Sequence, residues 1–262
     1  MPVGVDLFAG PLQRYYRRRW ETPDAAATRA RGLDYRMGQG KGGEPLSLDR
    51  RAAEAGIRDF AMRLQPKLRL SDGPFWNESS ELPYKALKLT DEALGALVLW
   101  TAHLYRPDLP RPMRLPGNPW KARAVADAVV GGYYAGPMAV FEVDMVVPGA
   151  AEQISSAVDP LGRALSVTTS ATMRQAIRAV APSLRLKAAM AARIAEAGPP
   201  SLGFDFARTG RRWFELYKAK RQRLEPPPPE DEVKALATYA LSCFMVMSRF
   251  AGEHGVPIVR DE

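Results

Sequence analysis

The sequence predicts an α+β fold, mostly helical, with one small antiparallel sheet inside a single domain of residues 1–262. Three observations predict it. Several stretches repeat apolar residues at the three-and-four spacing of a buried helix face, as in Ala53, Ile57, Phe60, Ala61 and Leu64. One central stretch breaks that rhythm: Val140, Glu142, Asp144 and Val146 alternate with Phe141, Val143, Met145 and Val147, the period of a strand. The chain has 262 residues, 46% of them hydrophobic and 25% charged, which is long and apolar enough for a real core and too balanced for global disorder.

Each element has a local cause. Val3 to Phe8 has the β-branched and aromatic content of a short strand, broken by Gly10-Pro11. Leu12 to Trp20 predicts a helical turn or two, and Thr22-Pro23-Asp24 opens a second short helix. Residues 38–45, GQGKGGEP, read as a flexible loop. Leu48 to Gln65 is a helix capped by Ser47 or Asp49 and ended by Pro66. Thr90 caps a helix running to Tyr105, with Asp91 and Glu92 at the positive end of its dipole. Five prolines from Pro107 to Pro119 make residues 106–119 a stiff connector, and Asn118-Pro119 starts a helix that runs to about Val130. After the central strand, Gln153 to Val158 and Arg163 to Thr168 predict two more strands around an Asp159-Pro160-Leu161-Gly162 turn, giving an antiparallel meander. Ser170 and Ser183 cap two further helices. A basic helix is expected from Asp205 to Leu224, then the proline-rich break at 225–229. The last helix, Glu230 to Glu253, is apolar on more than one side, and Val256 to Val259 predicts a terminal strand.

Composition narrows the chemistry. With one cysteine, Cys243, no internal disulfide can form, and two histidines leave no zinc spacing. Cys243 and His103 both fall in apolar helical stretches and read as packing residues, while His254 suits the end of the last helix. The glycine cluster around Lys41 lacks the hydroxyl that follows the lysine of a phosphate-binding loop. No GxSxG elbow is present. No cofactor and no metal is therefore expected, and a catalytic role is the less favoured reading. No signal peptide is evident and no uninterrupted apolar run reaches membrane-spanning length, so the expected location is cytoplasmic, with no membrane partner.

The densest chemistry comes first. Asp6 lies in an apolar run between Gly4 and Gly10, and Tyr15, Tyr16, Arg17, Arg18, Arg19 and Trp20 follow within a few positions. A half-buried acid needs a partner, and the three arginines are the nearest in sequence. If Asp6 pairs with one of them the motif is structural; if the arginines and a tyrosine line a cleft it is a binding site. Glu142 and Asp144, two apart on the expected strand, would share one face and form the only paired-carboxylate candidate for an enzyme of unfamiliar type. The net charge is +8. A second basic cluster, with Arg211, Arg212, Lys218 and Arg221, could lie along phosphates, which makes nucleic acid the alternative partner. No known DNA- or RNA-binding motif accompanies it.

The opening GVDLFAG (Gly4 to Gly10), with Arg14-Tyr15-Tyr16 and Trp20-Glu21, resembles a group of uncharacterised bacterial proteins. The likeness continues through Leu82 to Pro112 and Phe141 to Leu184. Val146-Val147-Pro148 and Thr168-Thr169-Ser170 stand where that group's pattern would place a Trp-Leu-Pro-type strand end and a Gly-Ser pair. The resemblance implies immunity-type proteins, small cytoplasmic partners that mask a toxin or effector. The leading expectation is thus a non-enzymatic protein-binding protein, with contacts at Asp6, Tyr15, Tyr16, Arg17, Arg18, Arg19, Trp20, Arg211, Arg212, Lys218 and Arg221.

Overall fold

A computed structural model describes residues 5–30, 47–70, 75–131, 136–200 and 231–261. In chain order these form β1 (Val5–Ala9), α1 (Leu12–Tyr16), α2 (Pro23–Ala30), α3 (Arg50–Leu68), β2 (Lys85–Leu89) and α4 (Asp91–Tyr105). A 3-10 turn at Pro119–Lys121 leads into α5 (Arg123–Val130), α6 (Pro137–Phe141), β3 (Met145–Val147), β4 (Ile154–Val158) and β5 (Ala164–Thr169). The described chain closes with α7 (Ser170–Val180), α8 (Ala188–Ala197), α9 (Glu232–His254) and β6 (Ile258–Asp261). The expected loop at 38–45, the basic helix at 205–224 and the break at 225–229 fall outside the described residues.

The fold is α+β, as expected, but its sheet is neither small nor purely antiparallel. Six strands join in the order β2-β1-β6-β3-β5-β4. The terminal strand β6 is the seam: it pairs antiparallel with β1 on one side and with β3 on the other. β3 and β5 run parallel, and β4 folds back antiparallel on the outside of β5. The expected meander therefore gives way to a crossover. All three residues of β3 are buried, which suits an interior strand covered on both faces, whereas β4 is exposed at alternate positions and suits an edge.

Helices cover both faces, and strand alternation decides which residue enters which core. Leu7, Ala9, Val146 and Ile258 join a large core with α4 to α9. Phe8, Met145, Val147 and Val259, their immediate neighbours, join a second core with α1 and α3. α4 and α9 pack against each other in the first core, where ten consecutive residues of α4, from Ala93 to Ala102, are buried. Phe8 and Phe60 anchor the second, each with no exposed surface, a burial worth ~1.5–3 kcal/mol apiece.

Several boundaries move for local reasons. The stretch expected as a strand from Val140 is instead α6 up to Phe141, with Pro137 in its first turn; Met138, Val140 and Phe141 are all buried, which no half-exposed strand would allow. Pro66 does not end α3 but lies in its final turn, and Arg69 closes the helix in the left-handed region at φ 49°. Thr169, one residue before the expected Ser170, caps α7 by accepting from the Thr172 amide. Asp49 and Thr90 cap α3 and α4 as their positions foretell. Strand β2 went unpredicted, although Lys85, Leu87 and Leu89 alternate with Ala86 and Lys88.

Side chains from two helices engage backbone carbonyls at both edges of the sheet. Arg63 and Lys67 of α3 reach over to donate to the Val158 and Ser156 carbonyls of β4. At the other edge the Tyr239 hydroxyl of α9 donates to the Lys88 carbonyl of β2. Basic or hydroxyl groups on edge carbonyls block strand addition.

Candidate functional site

The aromatic and arginine cluster after β1 is a clamp on the far end of the chain. Tyr15 is 2% exposed and Tyr16 1%, so neither ring offers a contact surface. The Tyr15 hydroxyl donates to Asp261 Oδ1 at 2.5 Å, and Arg18 Nη1 donates to Asp261 Oδ2 at 2.8 Å. Arg163 closes the other side, 3.5 Å from the Tyr15 hydroxyl and doubly bonded to the buried Asp159. Phe8 and Trp20 pack beside the Tyr15 ring, with centroids 5.5 and 6.1 Å away. Arg18 takes a positive φ of 50°, a conformation supported by the hydrogen bond its backbone N–H donates to the Tyr15 carbonyl and by its pairing with Asp261. Burial, first, and Asp261, second, push the Tyr15 phenol well above its ordinary range.

Asp6 does not meet the arginines. Its cross-strand neighbours are Lys88 on β2 and Asp261 on β6, while Lys88 pairs with Asp24 of α2 at 2.5 Å. Partial burial, with Asp24 and Asp261 nearby, pushes Asp6 up to about 6. Of the two alternatives posed for Asp6, pairing with one of Arg17 to Arg19 does not occur: Arg18 holds Asp261. Arg17 is half-buried and Arg19 exposed, without an ion pair among the described residues. Arg211, Arg212, Lys218 and Arg221 lie outside the described residues.

Glu142 and Asp144 share no strand face. Glu142 ends α6, and its carboxylate accepts from the Trp120 indole at 2.6 Å. Asp144 precedes β3 and is fully engaged: Oδ2 accepts from the Ser166 amide and hydroxyl, both at 2.7 Å, and Oδ1 from Arg260 at 2.9 Å. Arg260 also donates to the Glu142 carbonyl, so this network ties β3, β5 and β6 together. A paired-carboxylate site would need free oxygens facing one space, which this geometry does not provide.

A cleft of about 400 Å³ lies between α1, α3 and the segment that carries Phe75 and Trp76. Its lining includes the buried Ile57, Ala61 and Trp76, the half-buried Phe75, Gln13 and Glu54, and the exposed Arg58. The Phe75 and Trp76 rings are 6.1 Å apart and tilted by 50°. Glu78 organises this wall: one carboxylate oxygen accepts from the Leu12 amide and the Trp76 indole, the other from the Gln13 amide. An acid there also suits the start of α1. Burial raises Glu78 above the usual carboxylate range, against the lowering by those three donors. At the rim Glu54 is paired with Arg50, whereas Arg58 is exposed and has no ion pair among the described residues. One turn beyond, Met62 is 53% exposed on the same stripe of α3. Only spatial assembly of α3 with the loop after it reveals this site. The aromatic Phe75-Trp76 pair was its one trace in the sequence.

Cys243, His103 and His254 are the remaining chemistry-bearing residues. Cys243 is buried and pushed up to about 12 by desolvation. His103 is half-buried on α4, its basicity lowered by burial and then by Arg111. His254 packs its ring on Phe250, 4.5 Å between centroids. Among the described residues no cluster of His, Cys, Asp and Glu could hold a metal ion. One described helix, α9, is long and apolar enough to cross a membrane, and 56% of that window is buried inside the fold.

Fold and cleft together define an α+β protein with helices on both faces of a mixed sheet and an open, aromatic-walled groove on its outer layer. No family model, no curated protein and no solved structure matches this chain.

Proposed function

We propose that this chain is a non-enzymatic binding protein for a protein partner, acting by masking that partner as an immunity protein masks a toxin. The observation that carries the reading is the cleft beside Arg58 and Met62. Aromatic lining residues, an arginine without an ion pair among the described residues and an exposed methionine are residue types enriched at protein interfaces. The contact surface in this reading is the outer face of α3 and not the Tyr15 to Trp20 cluster, whose rings hold the core.

A photo-crosslinking amino acid placed at position 62 tests it in cells of the source organism, with the same probe at the exposed Arg193 of α8 as the control. One defined protein is expected from position 62 and none from position 193, and the purified pair should form a stable complex. Absence of a specific adduct at position 62 would remove the proposal.

The basic residues of α3 favour a second reading, nucleic acid. Much of that charge is already committed: Arg50 pairs with Glu54, Arg63 with Asp59, and Lys67 with the β4 edge. Binding to a short RNA or DNA at low salt, with a steep loss as salt rises, would favour it.

A further inference from the structure

We infer that the cleft is an anchor pocket for an aromatic side chain flanked by a carboxylate on the partner protein, an inference that rests on the protein-binding reading above.

The walls set the first half of this preference. Ile57, Ala61, Phe75 and Trp76 line an open cleft of about 400 Å³, in the lower range for ligand sites. A flat ring laid in this open cleft would meet the Phe75 and Trp76 rings, where offset or edge contacts add to burial. The Trp76 ring is tied down on one side. Its indole N–H is held by Glu78 at 2.6 Å, and the same carboxylate is fixed by two α1 amides. A wall held in place before binding spares the ligand the cost of ordering it. The cleft is also open at its mouth, which suits a side chain projecting from a larger surface.

The rim sets the second half. Glu78 has its charge answered by three donors, and Glu54 is paired with Arg50. Among the described residues Arg58 is left without an ion pair at the cleft. Gln13, whose backbone amide is used by Glu78, adds a neutral amide side chain to the same rim. A carboxylate next to the inserted ring would meet the Arg58 guanidinium, whereas an ammonium would be repelled.

Three blocked dipeptides test the inference on the full chain: acetyl-Trp-Glu-amide, acetyl-Trp-Lys-amide and acetyl-Ala-Glu-amide, followed through the indole N–H signals in proton–nitrogen NMR spectra. The Trp-Glu probe should move the Trp76 signal and saturate at a dissociation constant on the order of 1 mM, as small anchors do. The Trp-Lys probe should bind about threefold more weakly at low salt, the range expected of one exposed charge pair. The Ala-Glu probe should leave Trp76 unmoved. Arg58→Glu, a surface change that leaves the walls intact, should invert the Glu-over-Lys preference. Equal binding of the two Trp probes, or shifts that bypass Trp76, would overturn the inference. A partner crosslinked at position 62 whose binding ignores Arg58→Glu would also sink it while leaving the masking reading intact. The reverse result, with dipeptide preference present and no partner found, would remove the masking reading and leave the pocket chemistry standing.

Discussion

The Tyr15 hydroxyl bonds Asp261 across 246 positions of sequence, joining the first helix to the last strand. Arg18 holds the second oxygen of the same carboxylate, and β6, which carries Asp261, is the strand that bridges the two halves of the sheet. The fold is thus closed by a contact between its two ends. Much of the chemistry that drew attention to the N-terminus is used up in that closure.

Tyr15→Phe keeps the ring and removes the bond. The variant should lose about 1–2 kcal/mol of stability, the cost of leaving a partly buried acceptor without one of its donors. Urea denaturation of the two proteins measures it, and an unchanged midpoint would mean that Arg18 alone carries the clamp.

Asp6 should make stability depend on pH in an unusual direction. Its folded value, about 6, lies above the ordinary 3.8, so the folded state binds more protons than the unfolded one between those values. Its contribution is therefore a penalty at neutral pH that fades as pH falls through about 6 and is gone below about 4. Asp6→Asn should stabilise the protein by about 1 kcal/mol at pH 7, after discounting for solvent screening, and by nothing near pH 4. Thermal melts of both proteins across that range would show it. A gain equal at both pH values would place the effect in packing instead.

Asp144 is expected to matter for folding. Asp144→Ala leaves Arg260, only 12% exposed at its side chain, without its carboxylate and strips two bonds from Ser166. Removing one member of a partly buried charged pair costs ~3 kcal/mol or more. A stable, fully folded Asp144→Ala protein in circular dichroism and denaturant titration would contradict this structural role.

Gly95 lies inside α4, where alanine would normally help a helix by up to ~1 kcal/mol. Here a Cβ would come within 2.8 Å of Pro119 Cγ and 3.2 Å of the Trp120 ring. Gly95→Ala should therefore destabilise, by about 1–3 kcal/mol, because overpacking outweighs propensity. A rise in melting temperature would show that the Pro119–Lys121 turn yields freely.

Cys243 should be inert in the folded protein. With its thiol buried and pushed up to about 12, almost no thiolate is present at neutral pH. An aromatic disulfide reagent is expected to react only on unfolding, at full stoichiometry in denaturant. Rapid labelling without denaturant would show that α9 opens locally.

Much of the helical framework could be read in advance. Asp49 and Thr90 announced the starts of α3 and α4, and the spacing of Ala53, Ile57, Phe60 and Leu64 announced a buried face, because caps and helical periodicity are local properties of a few adjacent residues. The β4–β5 hairpin was legible for the same reason, its turn being written in Asp159 to Gly162. The strand order was not. Nothing local tells Ile258 to lie between β1 and β3, or β3 to run parallel to β5. Such pairings are chosen by which strands must be covered on both faces, a property of the assembled layers.

The candidate site divides in the same way. Residue types alone marked Asp6, Tyr15 and Arg18 as chemically loaded. Tertiary structure decided their roles, because the identity of a charge's partner depends on distance and solvent exclusion and not on sequence separation. It gave Arg18 to Asp261 instead of the nearby Asp6, buried both tyrosines, and set Phe75 and Trp76 across from α3 to make the cleft.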